Sequence, residues 1–520
     1  MYFDRKLKFK QHVCILAAKA LTVGNALRSL GKTTRGVPPI FLQRAVTACV
    51  LKKGYFAAET WWPGRTRTVR NKRISNTVDS HIRLLEKVVL TSARAILPVY
   101  RTTQAAALYR EARLWPLEIE LNLISQTFAA RTARLDPRHP LRIRADRITR
   151  TRRGSTRLAR LILALPNAEA VNPIAYPPWT VRESRSEVTE RISGPQGRTK
   201  EKAAKDFTDF LSTIPPKDIQ VFSDGSKSES TDGATGGGSV TYQYGHKIDR
   251  KVFSLGRNAE VFDAEASAAL IGAKAALLAP SAKLATDMWV FLDNLEVAMR
   301  LLAPSTGSSQ SVFDEFCEVA RKWPSRPRLP HTSPGAVRIR WVPGHLNVLG
   351  NEEADKAAKE GAALPTPANT VCTLASLKRI ARTNARLVAT QLWSTTAPAN
   401  YNELFVRHPT NTDELHLNRA ALGHILAARS QHGDFAAYHK RFNHDNATLN
   451  CSCGRPKSPL HFYFCKKSTV RKLTHKNPTF IAIPCLLGTA KGALELADWI
   501  TASKYFTDVC RPHSREDQGP

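Results

Sequence analysis

The sequence predicts a multidomain chain: a helical basic N-terminal region, a central α/β domain, and a helical C-terminal region carrying a small Cys/His module. Three observations predict it. Four short strings between residues 222 and 355 each set an acid at the end of an apolar strand or on a helix. Charge is unevenly placed: residues 1–163 hold 33 Lys+Arg against 9 Asp+Glu, whereas residues 218–363 hold 16 against 18. Three of the nine cysteines fall within residues 451–465, with a histidine among them.

Residues 1–163 alternate apolar and basic residues at helical spacing over His12 to Leu30, Pro39 to Lys52 and Asn76 to Leu97. Trp61-Trp62-Pro63-Gly64 breaks the pattern, and Arg65 to Arg73 reads as a basic loop. Residues 164–215 are rich in Pro, Ser and charge and read as a linker. The α/β domain is expected over 216–364. Ile219, Val221 and Phe222 lead as a strand into Asp224, and Gly225-Ser226 turns it away. Phe262 to Leu278 has a helical period with Glu265 about one turn inside and Asn258 as a candidate cap. Trp289 to Leu292 reads as a buried parallel strand with Asp293 at its carboxyl end, the edge where sites gather in open α/β sheets. Ile339, Trp341 and Val342 form a further strand. Pro343-Gly344 ends it, and Asn351 is placed to cap a closing helix that carries Asp355. Residues 324–336 are a Pro-rich break inside this domain. Residues 373–450 are again helical and basic, and 512–520 read as a disordered tail.

Each acid alone has an ordinary explanation: a turn for Asp-Gly-Ser, a solvated helix face for Glu265, a helix N-terminus for Glu352, Glu353 and Asp355. The ordered set, with its strand and helix context, points instead to acids that share one site, the residue type that holds hard cations. Two hard cations roughly 3.5–4 Å apart activate a water and stabilise a leaving oxygen, and carboxylates hold such cations. Without cations, converging carboxylates repel one another and their pKa values rise. The glycine-rich Gly233 to Gly238 is not a phosphate loop, since no Gly-Lys-Ser/Thr follows. It is expected either to let a nucleic-acid backbone approach or to form a flexible hairpin. Gly31-Lys32-Thr33 lacks the preceding glycine, because Ala26 occupies that position.

The strings Phe222-Ser-Asp-Gly-Ser226, Asp263-Ala-Glu-Ala-Ser267, Phe291-Leu-Asp-Asn294 and His345-Leu-Asn-Val-Leu-Gly-Asn-Glu-Glu-Ala-Asp355 resemble the ribonuclease H fold over about residues 216–364. The resemblance implies a mixed five-stranded sheet and hydrolysis of the RNA strand of RNA–DNA hybrids, leaving 5′-phosphate and 3′-hydroxyl ends. It implies two Mg²⁺ (or Mn²⁺) on Asp224, Glu265, Asp293 and Asp355, and a role for His345 in proton transfer or product release. The family's basic protrusion helix is not expected, since residues 303–325 carry Asp314, Glu315 and Glu318. A second resemblance, to non-LTR retrotransposon reverse transcriptases of fungal type, rests on Tyr2 to Val13, Leu97 to Thr103 and Leu108 to Ala112. These look like the segments that follow the polymerase palm. No Asp-Asp dipeptide occurs, so the palm and polymerase activity are expected to be missing, and the chain reads as the carboxyl-terminal part of such a polyprotein. The alternative reading is a non-catalytic nucleic-acid-binding remnant. A transposase or integrase on the same fold is disfavoured by the order of the acids.

Cys451, Cys453, His461 and Cys465 have the residue types and short spacing of a structural tetrahedral Zn²⁺ site, similar to the zinc-binding tail of non-LTR elements. His444 is a spare candidate ligand, and Cys485 and Cys510 are expected to lack partners. The basic residues 1–163 imply a polyanion, most simply nucleic acid beyond the hybrid itself. Nine cysteines without an even framework point to a reducing compartment, and no 18-residue apolar run exists. The expected location is therefore intracellular and nuclear, with no membrane partner.

Overall fold

A five-stranded mixed sheet lies at the centre of one of the two units into which the chain divides, residues 126–382. The computed structural model describes residues 1–5, 7–32, 34–69, 72–150, 156–172, 175–177, 179–181, 183–228, 233–303, 307–344, 346–368, 370–408 and 413–511. The strands are β1 (Ile219–Lys227), β2 (Thr235–Gln243), β3 (His246–Gly256), β4 (Met288–Leu292) and β5 (Val337–Trp341), in the spatial order β3-β2-β1-β4-β5. The first three pair antiparallel, and β4 and β5 add parallel to β1. Five helices of this unit matter here: α1 (Arg185–Arg191), α2 (Lys200–Thr213), α3 (Val261–Leu278), α4 (Gln310–Lys322) and α5 (Leu349–Ala363).

Strand alternation divides the core into two layers. Ile219, Val221, Val290 and Leu292 face Ala266, Ala269, Leu270 and Ala273 of α3 and Phe313 and Phe316 of α4. Phe222 and Phe291 face the other way, towards Phe207 of α2 and Val348 and Ala354. The parallel register pairs Phe222 with Phe291. Asp224 and Asp293 each lie two residues further on, so they emerge side by side at the carboxyl edge of the sheet.

The structure corrects five expectations. Gly225-Ser226 does not turn the strand away after Asp224: β1 continues to Lys227, with Gly225 and Ser226 still paired to Gly237 and Gly236 of β2. The Pro-rich stretch 164–215 is not a bare linker: it carries α1 and α2. Phe207 packs edge-on against Phe291 with ring centroids 5.2 Å apart, Phe210 meets Trp289 at 4.9 Å, and Trp341 N–H donates to Ile192 O (2.9 Å). Helix α3 is capped by Glu260 in a reciprocal box with Asp263, while Asn258 Nδ2 donates to Thr370 Oγ1. Helix α5 starts after Val348, whose side chain packs into the core, so Asn351 is a buried residue of its first turn and not its cap. Gly236, Gly237 and Gly238 are buried in β2 and offer nothing to a nucleic acid. A side chain at 236 would strike Ala362 of α5, and one at 238 would strike Ala357. The glycines let α5 lie directly on the sheet.

A buried polar cluster fastens flanking segments to this domain. Asp263 accepts from Ser309 Oγ (2.7 Å), Ser308 Oγ (3.0 Å) and Thr373 Oγ1 (2.7 Å). Glu169 pairs with Arg134 (3.1 Å) and accepts from the backbone N–H groups of Ser309 and Leu374. The unit therefore extends past 216–364 on both sides.

The other unit comprises residues 1–125 and 383–520. Its first core packs helices Lys10–Ser29 and Asp79–Ile96 through Val13, Ala17, Ala20, Leu85, Val88 and Val89, close to the predicted spans. The expected basic loop at 65–73 contains a hairpin, Thr66–Val69 with Lys72–Ser75. A second core, around Trp393, Tyr401, Ile425, Leu486 and Leu496, includes Cys451 and Cys465. Among the described residues, no single helix is long and apolar enough to cross a membrane. The predicted tail 512–520 lies outside the described residues.

Candidate active site and Cys/His cluster

At the sheet edge, carboxylate oxygens of Asp224, Glu265 and Asp293 all lie within 4.8 Å of one another. Two come from adjacent parallel strands. Glu265 comes from α3, which passes so close to β1 that a Cβ on Gly225 would sit 2.6 Å from Glu265 N. Glycine at 225 is what allows the helix to bring its acid to the strand ends. Gly225 N–H donates to Asp224 Oδ1 (2.8 Å), whereas Glu265 Oε2 is buried with no hydrogen-bond partner among the described residues.

Such an arrangement is costly without a cation. Burial first, and the charge of Asp293 second, push the Asp224 carboxyl up to about 7. Burial and then Asp224 raise Glu265 well above the carboxylate range. The trio's donors are hard oxygens on buried or half-buried carboxylates, the ligand set that suits Mg²⁺ or Mn²⁺ and not a thiolate-seeking metal. Asp355 stands apart from the trio. It lies on α5 and pairs with Lys359 Nζ at 2.6 Å, although its charge still reaches Asp224. His345 lies outside the described residues.

In the other unit, Cys451, Cys453, His461 and Cys465 bring one ligand atom each within 4.8 Å of the rest. The Cys451 and Cys465 sulfurs are 3.9 Å apart, and Cys453 Sγ is 3.4 Å from His461 Nε2. Zn–S bonds of about 2.3 Å in a tetrahedron put sulfurs about 3.8 Å apart, so the cluster has the dimensions of a closed zinc site. His461 opens a short helix, His461–Phe464, and Cys465 N–H donates to His461 O (2.8 Å), which places both ligands on one turn. His444 is not part of this cluster. Its Nδ1 lies 3.0 Å from His439 Nδ1, and His439 Nε2 is 2.6 Å from Asp434. Cys510, expected to lack a partner, is buried beside Cys451; burial first and Cys451 second push its thiol up to about 12. Cys485 is exposed.

Residues 216–363 match the RNase H family model. No curated relative matches the chain. Among solved structures the chain is similar to an N-terminal RNase H domain from Mycobacterium tuberculosis, fused to maltose-binding protein, at 16% identity over 28% of this chain and 96% of that one (TM-score 0.22). It is similar to RNase H1 from Halobacterium salinarum at 18% identity over 28% and 97% (TM-score 0.21). It is also similar to a foamy viral protease–reverse transcriptase in complex with an RNA/DNA hybrid, at 16% identity over 49% and 34% (TM-score 0.22).

Two residues near these clusters escaped sequence reasoning. Lys359, in the RNase H domain, stands four residues after Asp355, the spacing at which helix side chains meet. That signal was available. Cys510 is 45 residues beyond Cys465, and no spacing rule links it to the cluster.

Proposed function

We propose that the chain hydrolyses the RNA strand of RNA–DNA hybrids with two bound Mg²⁺ or Mn²⁺ ions. The observation that carries this is the convergence of three acids, Asp224, Glu265 and Asp293, with a buried unpartnered oxygen on Glu265, inside the stretch that matches the RNase H family. Asp224, Glu265 and Asp293 would hold the first ion, with Asp224, Asp293 and Asp355 disposed towards the second. Bound ions there supply an activated water and stabilise the leaving oxygen. The residues themselves fix the geometry: rigid adjacent strands for Asp224 and Asp293, and a helix pressed against Gly225 for Glu265. His345 would serve proton transfer or product release, as the resemblance implies.

Purified protein is expected to cut the labelled RNA strand of a hybrid when Mg²⁺ or Mn²⁺ is added, and to spare double-stranded DNA. Binding of hybrid without any cutting would favour a nucleic-acid-binding remnant. The basic residues 1–163 are proposed as the contact for further nucleic acid, through phosphate neutralisation by Lys and Arg. The strings at Tyr2 to Val13 and Leu97 to Ala112 support reading the chain as part of a retrotransposon polyprotein.

Cys451, Cys453, His461 and Cys465 are proposed to bind one structural Zn²⁺. Protein purified without chelator should carry about one Zn²⁺ per chain, measured by elemental analysis. Cys453→Ser should lose it and loosen the second core of its unit, since metal binding there is linked to folding. Zinc-free protein with an unchanged melting profile would refute the assignment.

A further inference from the structure

In the site as built, the fourth acid is occupied by a cation of the protein's own. Asp355 Oδ2 is 2.6 Å from Lys359 Nζ. The Asp355 side chain is only 13% exposed, whereas that of Lys359 is 62% exposed. The ammonium also lies within the field of Asp224 and Glu352. Asp355 is absent from the group whose oxygens converge within 4.8 Å. One end of the pair is therefore anchored beside the metal-binding edge, and the other is free to swing into solvent.

We infer that Lys359 is a positioning residue that competes with the second divalent ion for Asp355, and so sets the ion concentration at which the site becomes complete. This rests on the proposed two-ion reading of the site. Lys359 holds Asp355 by an exposed ammonium, an arrangement that gives little net binding and yields readily to a divalent ion. Its positive charge also opposes a second cation at close range. At the exposed Lys359 position this direct repulsion is screened and small, so removing the ammonium favours the ion through the freed Asp355 carboxylate. Because the pair is weak and screened, the effect is a few-fold and not orders of magnitude.

The test is calorimetric titration of the full chain with Mg²⁺, which thiolates and imidazole bind poorly. Lys359→Ala should bind the weaker of the two ions about threefold more tightly. Lys359→Arg should match wild type, since the charge stays at the same helical spacing. On an Asp355→Ala background the gain from Lys359→Ala should vanish, because Lys359 acts through Asp355. Lys359 is exposed, so melting temperatures in the absence of Mg²⁺ should differ little and serve as the folding control. Equal or weaker Mg²⁺ binding by Lys359→Ala would overturn the inference while leaving the nuclease reading intact, provided hybrid is still cleaved. A gain that persists without Asp355 would also overturn it, in favour of a diffuse field effect. No Mg²⁺ binding by any form would remove the two-ion reading and this inference together.

Discussion

Asp224→Asn is expected to lower hybrid cleavage by about 10³-fold or more, the scale set by losing several kcal/mol of metal-based transition-state stabilisation. The metal-free protein should be no less stable. Burial and the neighbouring Asp293 raise the Asp224 carboxyl from 3.8 to about 7, so the folded state holds this proton more tightly than the unfolded chain does. A raised carboxyl makes stability fall as pH climbs from the ordinary carboxylate range, and the fall ends once pH passes about 7. Asparagine carries no charge and should lack this part of the decline. Melting at pH 5 and pH 8 without divalent ions should therefore show a smaller pH-dependent loss for the variant. Mg²⁺ should stabilise wild type at pH 8 by binding the folded state, and the variant much less. Cleavage by Asp224→Asn at the wild-type rate would show that the trio is not the reactive centre.

The trio was legible because each acid follows a local rule. Asp293 follows the end of an apolar strand, Asp224 follows the apolar run of another, and Glu265 sits one turn into a helix with a helical apolar period. Asp224 and Asp293 meet because β1 and β4 are parallel neighbours in register, Phe222 with Phe291, and Glu265 joins them because Gly225 lets α3 close on β1. The state of Asp355 was not legible in the same way. Its place on a helix and the four-residue spacing to Lys359 were there to read, but that the pair holds this acid outside the converging trio depends on tertiary placement. The helix caps were misread for a related reason. Asn258 and Asn351 are good capping residues, yet Asn258 bonds Thr370 and Asn351 is buried; the local preference lost to tertiary contacts.

The domain limits were harder still. Proline and serine made 164–215 look like a linker, while Phe207 and Phe210, three apart on α2, cover the sheet face that holds Phe291 and Trp289. A covering helix cannot be told from a free one when the surface it covers is more than 70 residues away. The polar cluster around Asp263 is similar: its partners Ser308, Ser309 and Thr373 are drawn from loops with no pattern of their own. A fragment of residues 206–364 would cut α2 and leave Asp263, two residues before Glu265, without Thr373. The helix that carries Glu265 therefore depends on chain outside the stretch that carries the four motifs.

Arg429→Ala is expected to destabilise the unit formed by residues 1–125 and 383–520 by about 3–5 kcal/mol. Arg429 is fully buried and bridges two buried acids, Glu111 at 3.2 Å and Glu414 at 2.7 Å, while its Nε donates to Leu487 O at 2.6 Å. Arg110 adds a second cation, 2.7 Å from Glu111 and 3.5 Å from Glu414. Truncation leaves two acids sharing one guanidinium in a dry core. Burial alone would raise Glu414, but Arg429 and Arg110 together outweigh it and hold the carboxyl below its ordinary value. A lowered carboxyl contributes stability at neutral pH that is lost as pH falls through its folded value. The gap between wild type and variant should accordingly be widest near pH 7 and shrink on acidification, followed by urea unfolding with a probe in this unit. Arg429→Lys should recover only part of the loss, since one ammonium cannot make the forked contact to both carboxylates. A loss below about 1 kcal/mol, the size of an exposed pair, would show that the buried acids are neutralised some other way and that the cluster does not secure this unit.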